Sequence, residues 1–307
     1  MINIAFGLDD NFAPHCGAAV VSILSNHKLL SDEDKIHFFF FGNLSNENKE
    51  KLSSLKEIQD FRETFIEVDN SEFDKLPLRN GQRIAIYNVL MIPDLIPSEI
   101  KKVIFLDCDI IVNKDISELW NIDIKDHLVA AVKDNYMGKQ NYFNSGVMVF
   151  NLPKLREFCF YDKWKEYIKY NVYKMTLHDQ DILNPVLMSN TFYLPVNWNV
   201  HHGIYLTLYK QYDKKDIDSF LSFCNIVHYS TKVKPWHSLS VHPLKYLYFK
   251  YAEITPWKNQ IKKYSWYAKT KSFLKIFFKY WFVHPVFFVK PKFWKSIKQK
   301  GWLMTLY

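Results

Sequence analysis

Apolar and polar stretches alternate along the chain and predict strands and helices in turn. A short apolar run that ends at polar residues is typical of a buried strand, and apolar residues three or four apart are typical of a helix with one buried face. These patterns predict strands at residues 2–8, 37–41, 65–68, 103–106, 129–132, 146–150 and 224–227. They predict helices at residues 14–30, 46–61, 83–92 and 154–170, with Pro93 ending the third.

This alternation predicts an α/β fold with a mixed, mostly parallel central sheet flanked by helices, similar to a Rossmann fold. Such sheets bind ligands outside the carboxyl ends of their strands. Asp9 and Asp107 each follow a predicted strand, so both could face one crevice. The chain has no GxGxxG after its first strand and no GxxxxGKS or GxxxxGKT segment, which argues against a dinucleotide-dependent dehydrogenase and a P-loop nucleotidase.

The composition is that of a folded globular protein. The chain has 307 residues, of which 48% are hydrophobic and 23% charged, which suits one large domain or a catalytic domain with a smaller appendage. The four cysteines are scattered without a CxxC pair, which argues against a zinc ribbon or a disulfide scaffold and fits a reducing compartment. Asp9 and Asp10 interrupt the first apolar stretch, and no run of 18 apolar residues occurs, so we expect a cytoplasmic location.

The charge is concentrated at the C-terminal end. The formal net charge is +8, yet residues 254–307 contain twelve lysines and no acidic residue, whereas the preceding 253 residues carry 28 basic and 32 acidic side chains. The same segment holds five of the nine tryptophans. A cationic and aromatic segment suits anionic lipid headgroups or nucleic acid, and residues 269–279 alternate in a way that could form an interfacial helix. A subdomain that packs its aromatic rings against the core is the alternative.

A pair of carboxylates is the sharpest chemical feature. Asp107 and Asp109 follow the apolar strand at 103–106, and in an extended chain their side chains point to the same side. Two adjacent carboxylates repel each other unless a cation lies between them, and such oxygen ligands suit Mn²⁺ or Mg²⁺. The plainer interpretation is a pair of acidic turn residues.

Three further polar clusters accompany this pair. His228 follows the apolar run at 224–227 and precedes two lysines, which is the composition that a metal–diphosphate site needs, although a lone histidine is more often structural. Residues 178–184 read as a helix start or cap. Residues 144–151 could equally be a turn into a strand, with Gly146 present for backbone reasons.

In order and spacing, five segments together resemble family 8 glycosyltransferases: residues 7–12, 107–109, 144–151, 178–184 and 228–236. Members of that family are retaining, metal-dependent enzymes of GT-A fold that use nucleotide sugars. The resemblance runs from residue 2 to about 260, and residues 228–258 are similar to lipopolysaccharide hexosyltransferases of Gram-negative bacteria. It implies a GT-A catalytic domain at 1–257 and a small helical, basic and aromatic extension at 258–307 that associates with the cytoplasmic face of the inner membrane.

The resemblance also implies a reaction. A galactose or glucose would move from UDP to a glycolipid or oligosaccharide acceptor of the lipopolysaccharide or lipooligosaccharide core type, with Mn²⁺ or Mg²⁺ as cofactor. The acceptor would attack from the face that UDP leaves, so that configuration is retained. Nucleic acid would not be a partner. A basic nucleic-acid-binding protein is the rival class, but it would leave the five polar segments unexplained.

The resemblance implies roles for matching residues. The metal ligands would be Asp107, Asp109 and His228. The donor-binding residues would be Gly7, Asp9, Asn11, Phe12, Arg83, Asp107, Asn144 and Lys234. Asp9 and Asn11 would contact the uracil, Phe12 would stack beneath it in place of the usual tyrosine, and Lys234 would pair with the diphosphate. The catalytic residues around the donor sugar would be Asp179, Gln180 and Asp181. Gln180 matches the residue debated as nucleophile or polar stabiliser, with Asp181 as an alternative nucleophile.

The chain departs from the family pattern at two positions. Asn88 follows Tyr87 where the family often has arginine, so Arg83 or Arg79 would have to supply a basic contact to the donor. Thr231 replaces a glycine of the family's His-Tyr-x-Gly segment, which alters the close approach of backbone to phosphate. Neither change removes a metal ligand. A nucleotide-sugar-binding protein with impaired catalysis is therefore a second alternative.

Overall fold

The computed structural model describes residues 1–78, 83–134, 141–204, 217–238, 240 and 242–261. The strands in this part of the chain are β1 (Ile2–Gly7), β2 (Ile36–Phe41), β3 (Arg62–Ile66), β4 (Lys102–Leu106), β5 (Ile110–Val112), β6 (Val129–Lys133), β7 (Phe143–Asn151), β8 (Thr191–Tyr193) and β9 (Ile226–His228). The helices are α1 (Ala13–Asn26), α2 (Asn46–Ser53), α3 (Ile92–Leu95), α4 (Ser117–Trp120), α5 (Leu152–Glu157), α6 (Phe160–Asn171), α7 (Gln180–Leu187), α8 (Ile217–Phe223) and α9 (Lys245–Ala252).

The central sheet has the strand order β3-β2-β1-β4-β7-β6-β8. Strand β1 pairs in parallel with β2 and β4, β3 pairs in parallel with β2, and β8 pairs in parallel with β6. Strand β7 runs antiparallel to both of its neighbours, β4 and β6. The prediction of a mixed, mostly parallel sheet is therefore confirmed.

Both faces of the sheet are covered. Along β1, Ile4 and Phe6 belong to the apolar cluster that includes α1 and α9, and Ala5 belongs to the cluster that includes α6 and α7. Side chains alternate between the faces of a strand, so a strand buried on both sides must be apolar throughout. That is why these strands appear in the sequence as continuous apolar runs.

Several predicted boundaries are wrong. The first helix ends at Asn26 rather than residue 30, α2 gives way to a 3₁₀ turn after Ser53, and the third strand lies at Arg62–Ile66. A 3₁₀ segment spans Ile84–Met91, and Pro93 lies in the first turn of α3 instead of ending a helix. Proline lacks an N–H, and the first turn of a helix leaves that group unpaired in any case.

The helix predicted at 154–170 is two helices. Cys159 separates α5 from α6 and has a φ of 54°, a left-handed conformation that an α-helix cannot continue through. The strand predicted at 146–150 is longer, because β7 begins at Phe143. This extension matters for function, since it places Asn144 and Gly146 within the sheet.

A second, two-stranded sheet pairs β5 antiparallel to β9. Its register sets Ile110 opposite His228, and the Tyr229 N–H donates to the Asp109 carbonyl oxygen at 2.9 Å. The small sheet thus brings the residues after β4 next to a segment more than a hundred positions later. Sequence spacing alone does not reveal such a contact.

The C-terminal end of the described chain packs on the first helix. Trp257 is 1% exposed, and its indole N–H donates to Asn48 Oδ1 at 3.0 Å. A methyl group at Gly17 would lie 2.6 Å from the Trp257 ring, so α1 needs a glycine there to admit the indole. Residues 262–307, with most of the predicted extension and the predicted helix at 269–279, lie outside the described residues. None of the described helices is long and apolar enough to cross a membrane.

Candidate active site

The carboxyl ends of β1 and β4 form the base of the site. Phe6 pairs with Leu106 in the parallel ladder, so the chain leaves both strands at the same edge of the sheet. Asp9 lies two residues beyond β1, and Asp107 directly follows β4. The Cys108 thiol lies 3.5 Å from the Gly7 carbonyl oxygen and joins the two turns. This arrangement agrees with the expectation that Asp9 and Asp107 face one crevice.

Asp107, Asp109 and His228 come together as a possible metal-ligand set. One ligand atom from each lies within 4.8 Å of the others. His228 Nε2 is 3.4 Å from Asp107 Oδ2 and 3.3 Å from Asp109 Oδ1. Asp109 and His228 are buried, whereas the Asp107 side chain is 39% exposed, so the set opens to solvent on one side. Two carboxylates and an imidazole fit Mn²⁺ or Mg²⁺ in donor chemistry.

The charged groups of this set favour one another's ionised forms. Burial disfavours the imidazolium form, but the Asp109 and Asp107 carboxylates outweigh burial and raise the pKa of His228 to about 9. Burial likewise disfavours the Asp109 carboxylate, but Lys234 and His228 lower its pKa well below the usual range. Lys234 Nζ forms an ion pair with Asp109 Oδ2 and donates to the Tyr229 carbonyl oxygen at 2.9 Å. Of the two lysines that follow His228 in the sequence, Lys234 is therefore the one that contacts Asp109.

Gly146 leaves room for the ligand set. It lies in β7 beside β4, and its carbonyl oxygen accepts the Asp107 N–H at 2.9 Å. A methyl group at this position would lie 2.3 Å from His228 Cε1 and 2.6 Å from Asp107 Oδ2. The backbone explanation for Gly146 is wrong: the residue is needed because a side chain would occupy the space of the ligands. The absence of a side chain at Gly146 therefore lets Asp107 and His228 approach each other.

The predicted nucleoside-binding residues cluster at the start of α1. The Asp9 carboxylate accepts the N–H groups of Asn11 at 3.0 Å and Phe12 at 3.1 Å, and Asn11 Nδ2 also donates to it. Arg83 Nε lies 3.8 Å from Asp9 Oδ2, and the Arg83 side chain is 57% exposed. A basic group is therefore present at this edge.

An aromatic cluster of His15, Trp236 and Tyr248 lies beside Phe12. The sequence analysis did not identify His15 and Tyr248. The His15 ring stacks on Trp236 with centroids 3.5 Å apart and planes 9° apart, and the Phe12 ring is nearly perpendicular to Trp236 with centroids 6.3 Å apart. His15 Nδ1 lies 2.7 Å from the Tyr248 hydroxyl. Burial lowers the pKa of His15 to about 3, so the ring is a neutral aromatic at neutral pH. His15 follows Phe12, the residue before α1, by three positions, a spacing that could have identified it as a neighbour.

Gln180 and Asn144 meet at the other side of the ligand set. Asn144 Nδ2 donates to Gln180 Oε1 at 3.1 Å, and the Ser145 N–H donates to the same oxygen at 3.2 Å. Gln180 Nε2 donates to Asp134 Oδ2 at 3.3 Å. Sequence reasoning missed Asp134, and also Asn199, which contacts both His228 and Asn144. Neither residue lies in a recognisable segment.

The two acidic residues beside Gln180 have different environments. Burial and the nearby Asp107 charge raise the pKa of Asp179 to about 8, so in the metal-free protein its carboxyl is mostly protonated at neutral pH. Asp181 accepts the N–H groups of Thr176 at 2.6 Å and Leu177 at 2.7 Å and the Tyr142 hydroxyl at 2.8 Å. The Asp181 carboxylate thus stabilises the loop before α7 and has a structural role.

The two departures from the family pattern are built into the fold. Asn88 is 1% exposed, and its Nδ2 donates to the Phe41 carbonyl oxygen at 2.8 Å. Thr231 Oγ1 donates to the Val233 carbonyl oxygen at 3.0 Å within the turn that leads to Lys234. Arg79, the other candidate for a basic contact, lies outside the described residues. Neither departure disturbs the set formed by Asp107, Asp109 and His228.

Comparison with known proteins identifies the class. Residues 3–240 match the family described as Glycosyl transferase family 8. The chain is 31% identical over 276 residues to general stress protein A of Bacillus subtilis, covering 84% of this chain and 96% of the relative. It is 27% identical over 281 residues to a lipopolysaccharide 1,2-glucosyltransferase of Escherichia coli, covering 84% and 79%. A lipopolysaccharide 1,3-galactosyltransferase of Salmonella typhimurium is 25% identical over 280 residues, with the same coverage.

Solved structures show the same fold. The galactosyltransferase LgtC, in complex with donor and acceptor sugar analogues, superposes with a TM-score of 0.72 at 23% identity and covers 84% of this chain and 100% of LgtC. The glycosyltransferase GlyE of Streptococcus pneumoniae has a TM-score of 0.64 at 20% identity, covering 87% and 66%. The chain belongs to glycosyl transferase family 8. It is a glycosyltransferase with the GT-A fold, as the five segments implied.

Proposed function

We propose that the protein transfers a galactose or glucose from UDP to a hydroxyl of a lipopolysaccharide or lipooligosaccharide core-type acceptor, with retention of configuration and dependence on Mn²⁺, which Mg²⁺ could replace. The set formed by Asp107, Asp109 and His228 around the space left by Gly146 carries the proposal. In a family 8 glycosyltransferase, such a site at the carboxyl edge of the sheet suits a donor diphosphate.

The diphosphate end of the donor would lie at the ligand set. A divalent ion held by Asp107, Asp109 and His228 would supply Lewis-acid stabilisation of the negative charge that develops on the departing phosphate. Lys234 would add a positive charge there, since its Nζ already lies at Asp109. Arrangement of these charges before the donor arrives is what makes such stabilisation effective.

The nucleoside end would lie at the start of α1. Phe12 would offer its ring face to the uracil, with His15 and Trp236 supporting it from the side. The turn around Asp9 and Asn11 would present polar groups to the base edge. Gly7 lets the end of β1 pack closely on the segment after Arg83, since a methyl group there would lie 3.2 Å from the Ala85 carbonyl oxygen. Arg83 would supply the basic contact that Asn88 does not.

The sugar would lie near Asn144, Asp179 and Gln180, and the surroundings of Gln180 favour attack from the front face. Retaining glycosidases carry out a double displacement with an ionised carboxylate beside the anomeric carbon. Asp181 is committed to the loop before α7, and burial raises the pKa of Asp179 in the metal-free protein. Gln180 would then orient the sugar as a polar group. The departing phosphate would take the acceptor proton, and Asp181 remains the residue to test if a glycosyl-enzyme forms.

The relatives support a hexose donor and a lipopolysaccharide acceptor. Two of them are named for glucosyl and galactosyl transfer in lipopolysaccharide, and a third, general stress protein A, has a name that states no acceptor. The deciding experiment is UDP release from a panel of UDP-sugars, with Mn²⁺ and with EDTA. Release from one hexose donor that EDTA abolishes is expected. UDP binding without release from any donor, even with acceptor present, would favour the impaired nucleotide-sugar-binding protein.

The basic extension would bring the enzyme to the cytoplasmic face of the inner membrane. Residues 254–307 carry twelve lysines without an acid, and each lysine near an anionic surface contributes about 1 kcal/mol. Replacing Lys269, Lys271, Lys275 and Lys279 by glutamine in the full chain should reduce binding to anionic vesicles by about 10²-fold or more. The same change at Lys28, Lys114, Lys125 and Lys163 is the control. Equal loss in both variants would contradict a specific role for the extension.

A further inference from the structure

Asn199 lies between a proposed metal ligand and the residues of the sugar site. It is fully buried, its Oδ1 is 2.9 Å from His228 Nδ1, and its Nδ2 donates to Asn144 Oδ1 at 2.8 Å. The neighbouring Val200 N–H donates to the Ile226 carbonyl oxygen at 2.9 Å, and the His228 N–H donates to the Val200 carbonyl oxygen at 3.2 Å. The backbone around Asn199 is therefore attached to β9, the strand that carries His228.

The direction of these hydrogen bonds is determined by the backbone. The Gly146 N–H lies 3.1 Å from Asn144 Oδ1, and because a backbone N–H can only donate, that atom must be the oxygen of the Asn144 amide. Asn199 must then turn its NH₂ group toward Asn144 and its oxygen toward His228. An amide oxygen only accepts, so His228 Nδ1 must carry a proton.

This assignment leaves the other ring nitrogen for the ligand set. With the proton on Nδ1, His228 Nε2 faces Asp107 Oδ2 at 3.4 Å and Asp109 Oδ1 at 3.3 Å. A histidine binds a metal through an unprotonated nitrogen, and the hydrogen bond made by the opposite nitrogen sets both the tautomer and the ring orientation. Backbone geometry thus keeps a proton on Nδ1 through two amide side chains, and Nε2 is the nitrogen that would lose its proton to bind a metal.

The same chain of amides reaches Gln180. The Ser145 N–H donates to Gln180 Oε1, so that atom must be the oxygen of the Gln180 amide, just as the Gly146 N–H identifies the oxygen of Asn144. Asn144 Nδ2 donates to the same Gln180 oxygen. Gln180, Asn144, Asn199 and His228 therefore form one continuous buried path. Along this path, a displacement of the His228 ring would displace the Gln180 amide, and a displacement of Gln180 would displace the ring.

We propose that Asn199 is a positioning residue that holds the ring and the tautomer of His228 for metal binding and links the metal ligands to Gln180 through Asn144. The inference rests on the proposed metal dependence. Asparagine suits the position because it accepts on one side and donates on the other. Alanine removes both functions, whereas aspartate keeps the acceptor toward His228 and loses the donor toward Asn144.

The test is the affinity of the full chain for Mn²⁺ alone, titrated by EPR, with the folded fraction of each variant measured by circular dichroism. Asn199→Ala should weaken Mn²⁺ binding by about 10–100-fold, and Asn199→Asp should restore it to within a few-fold of the parent. In the UDP-release assay, Asn199→Asp should still show a reduced kcat, because the link to Asn144 is lost. The control is Asn3→Ala, which removes another buried amide, donating to the Lys102 carbonyl oxygen, at the far end of β1.

The outcomes separate this inference from the proposed function. If folded Asn199→Ala binds Mn²⁺ as tightly as the parent, or if folded Asn199→Asp binds as weakly as Asn199→Ala, the positioning role is wrong while the metal site stands. If the parent itself does not bind Mn²⁺, both the proposed metal dependence and this inference are wrong. Weakening by Asn3→Ala equal to that by Asn199→Ala would show a general effect of core damage and would also overturn the positioning role.

Discussion

Asp109→Asn abolishes sugar transfer and its dependence on Mn²⁺ together: this is the largest effect that we expect from a single substitution. Asp109 lies between His228 and Lys234 and is the buried carboxylate of the ligand set. The amide keeps the shape but not the charge, so several kcal/mol of transition-state stabilisation are lost. This corresponds to a fall in kcat of about 10³-fold or more, measured by UDP release with the best donor.

The same substitution should also change stability in a pH-dependent way. The pKa of Asp109 is lowered in the folded state, so its carboxylate stabilises the fold above the pKa of the unfolded chain, and that stabilisation is lost as pH falls toward the folded value. Removing one partner of a buried pair costs about 3–5 kcal/mol. Thermal unfolding at pH 7 should therefore show a destabilised variant, and activity must be compared at a temperature where both proteins are folded.

Asp123→Asn is the matched control for the loss of a carboxylate. Asp123 is 66% exposed and pairs with Lys125 outside the site. Its kcat and its sensitivity to EDTA should equal those of the parent. Transfer by Asp109→Asn at the parental rate, still abolished by EDTA, would contradict the assignment of Asp109 as a metal ligand.

Gly146→Ala is expected to disable the site although every charged residue of the site is retained. The added methyl group would lie 2.3 Å from His228 Cε1 and 2.6 Å from Asp107 Oδ2, distances that force the ligands apart. Overpacking of this kind costs about 1–3 kcal/mol of stability, and a misplacement of about 1 Å in a reactive group costs about 10²-fold in rate. We expect kcat to fall by about 10²-fold, with weaker Mn²⁺ binding measured by EPR.

Gly17→Ala separates this effect from a general loss of stability. Its methyl group would meet the Trp257 ring at 2.6 Å, on α1 and away from the ligand set. This variant should be destabilised by a similar amount, yet bind Mn²⁺ and turn over at the parental rate while folded. Parental Mn²⁺ affinity in Gly146→Ala would show that the ligands do not depend on the space that glycine provides.

Local patterns in the sequence were sufficient for much of the fold and for one part of the site. Continuous apolar runs identified the central strands, because a strand covered on both faces must be apolar throughout. Asp107 and Asp109 could be recognised because an apolar strand ends directly before them. The helix boundaries were less accurate, since Cys159 breaks a helix through a left-handed backbone that no local pattern indicates.

The remaining site residues needed either the resemblance or the structure. His228 and Gln180 were assigned because their segments match a family in order and spacing. Asn199 and Asp134 belong to no such segment, and only the packing of β7, α7 and β9 places them beside the site. The steric reason for Gly146 was equally hidden, because the groups that exclude a side chain come from distant parts of the chain.

By itself, the sequence determined the α/β class, the carboxylate pair after a buried strand, and the basic aromatic extension. These features depend on neighbours in the chain, so periodicity, composition and spacing report them directly. The tertiary structure alone decided that β7 runs antiparallel to β4 and that β5 pairs with β9. It alone decided that the Gly146 and Ser145 N–H groups orient a path of amides from His228 to Gln180. Such relations join residues far apart in the chain, and they arise only when long-range pairing sets the register.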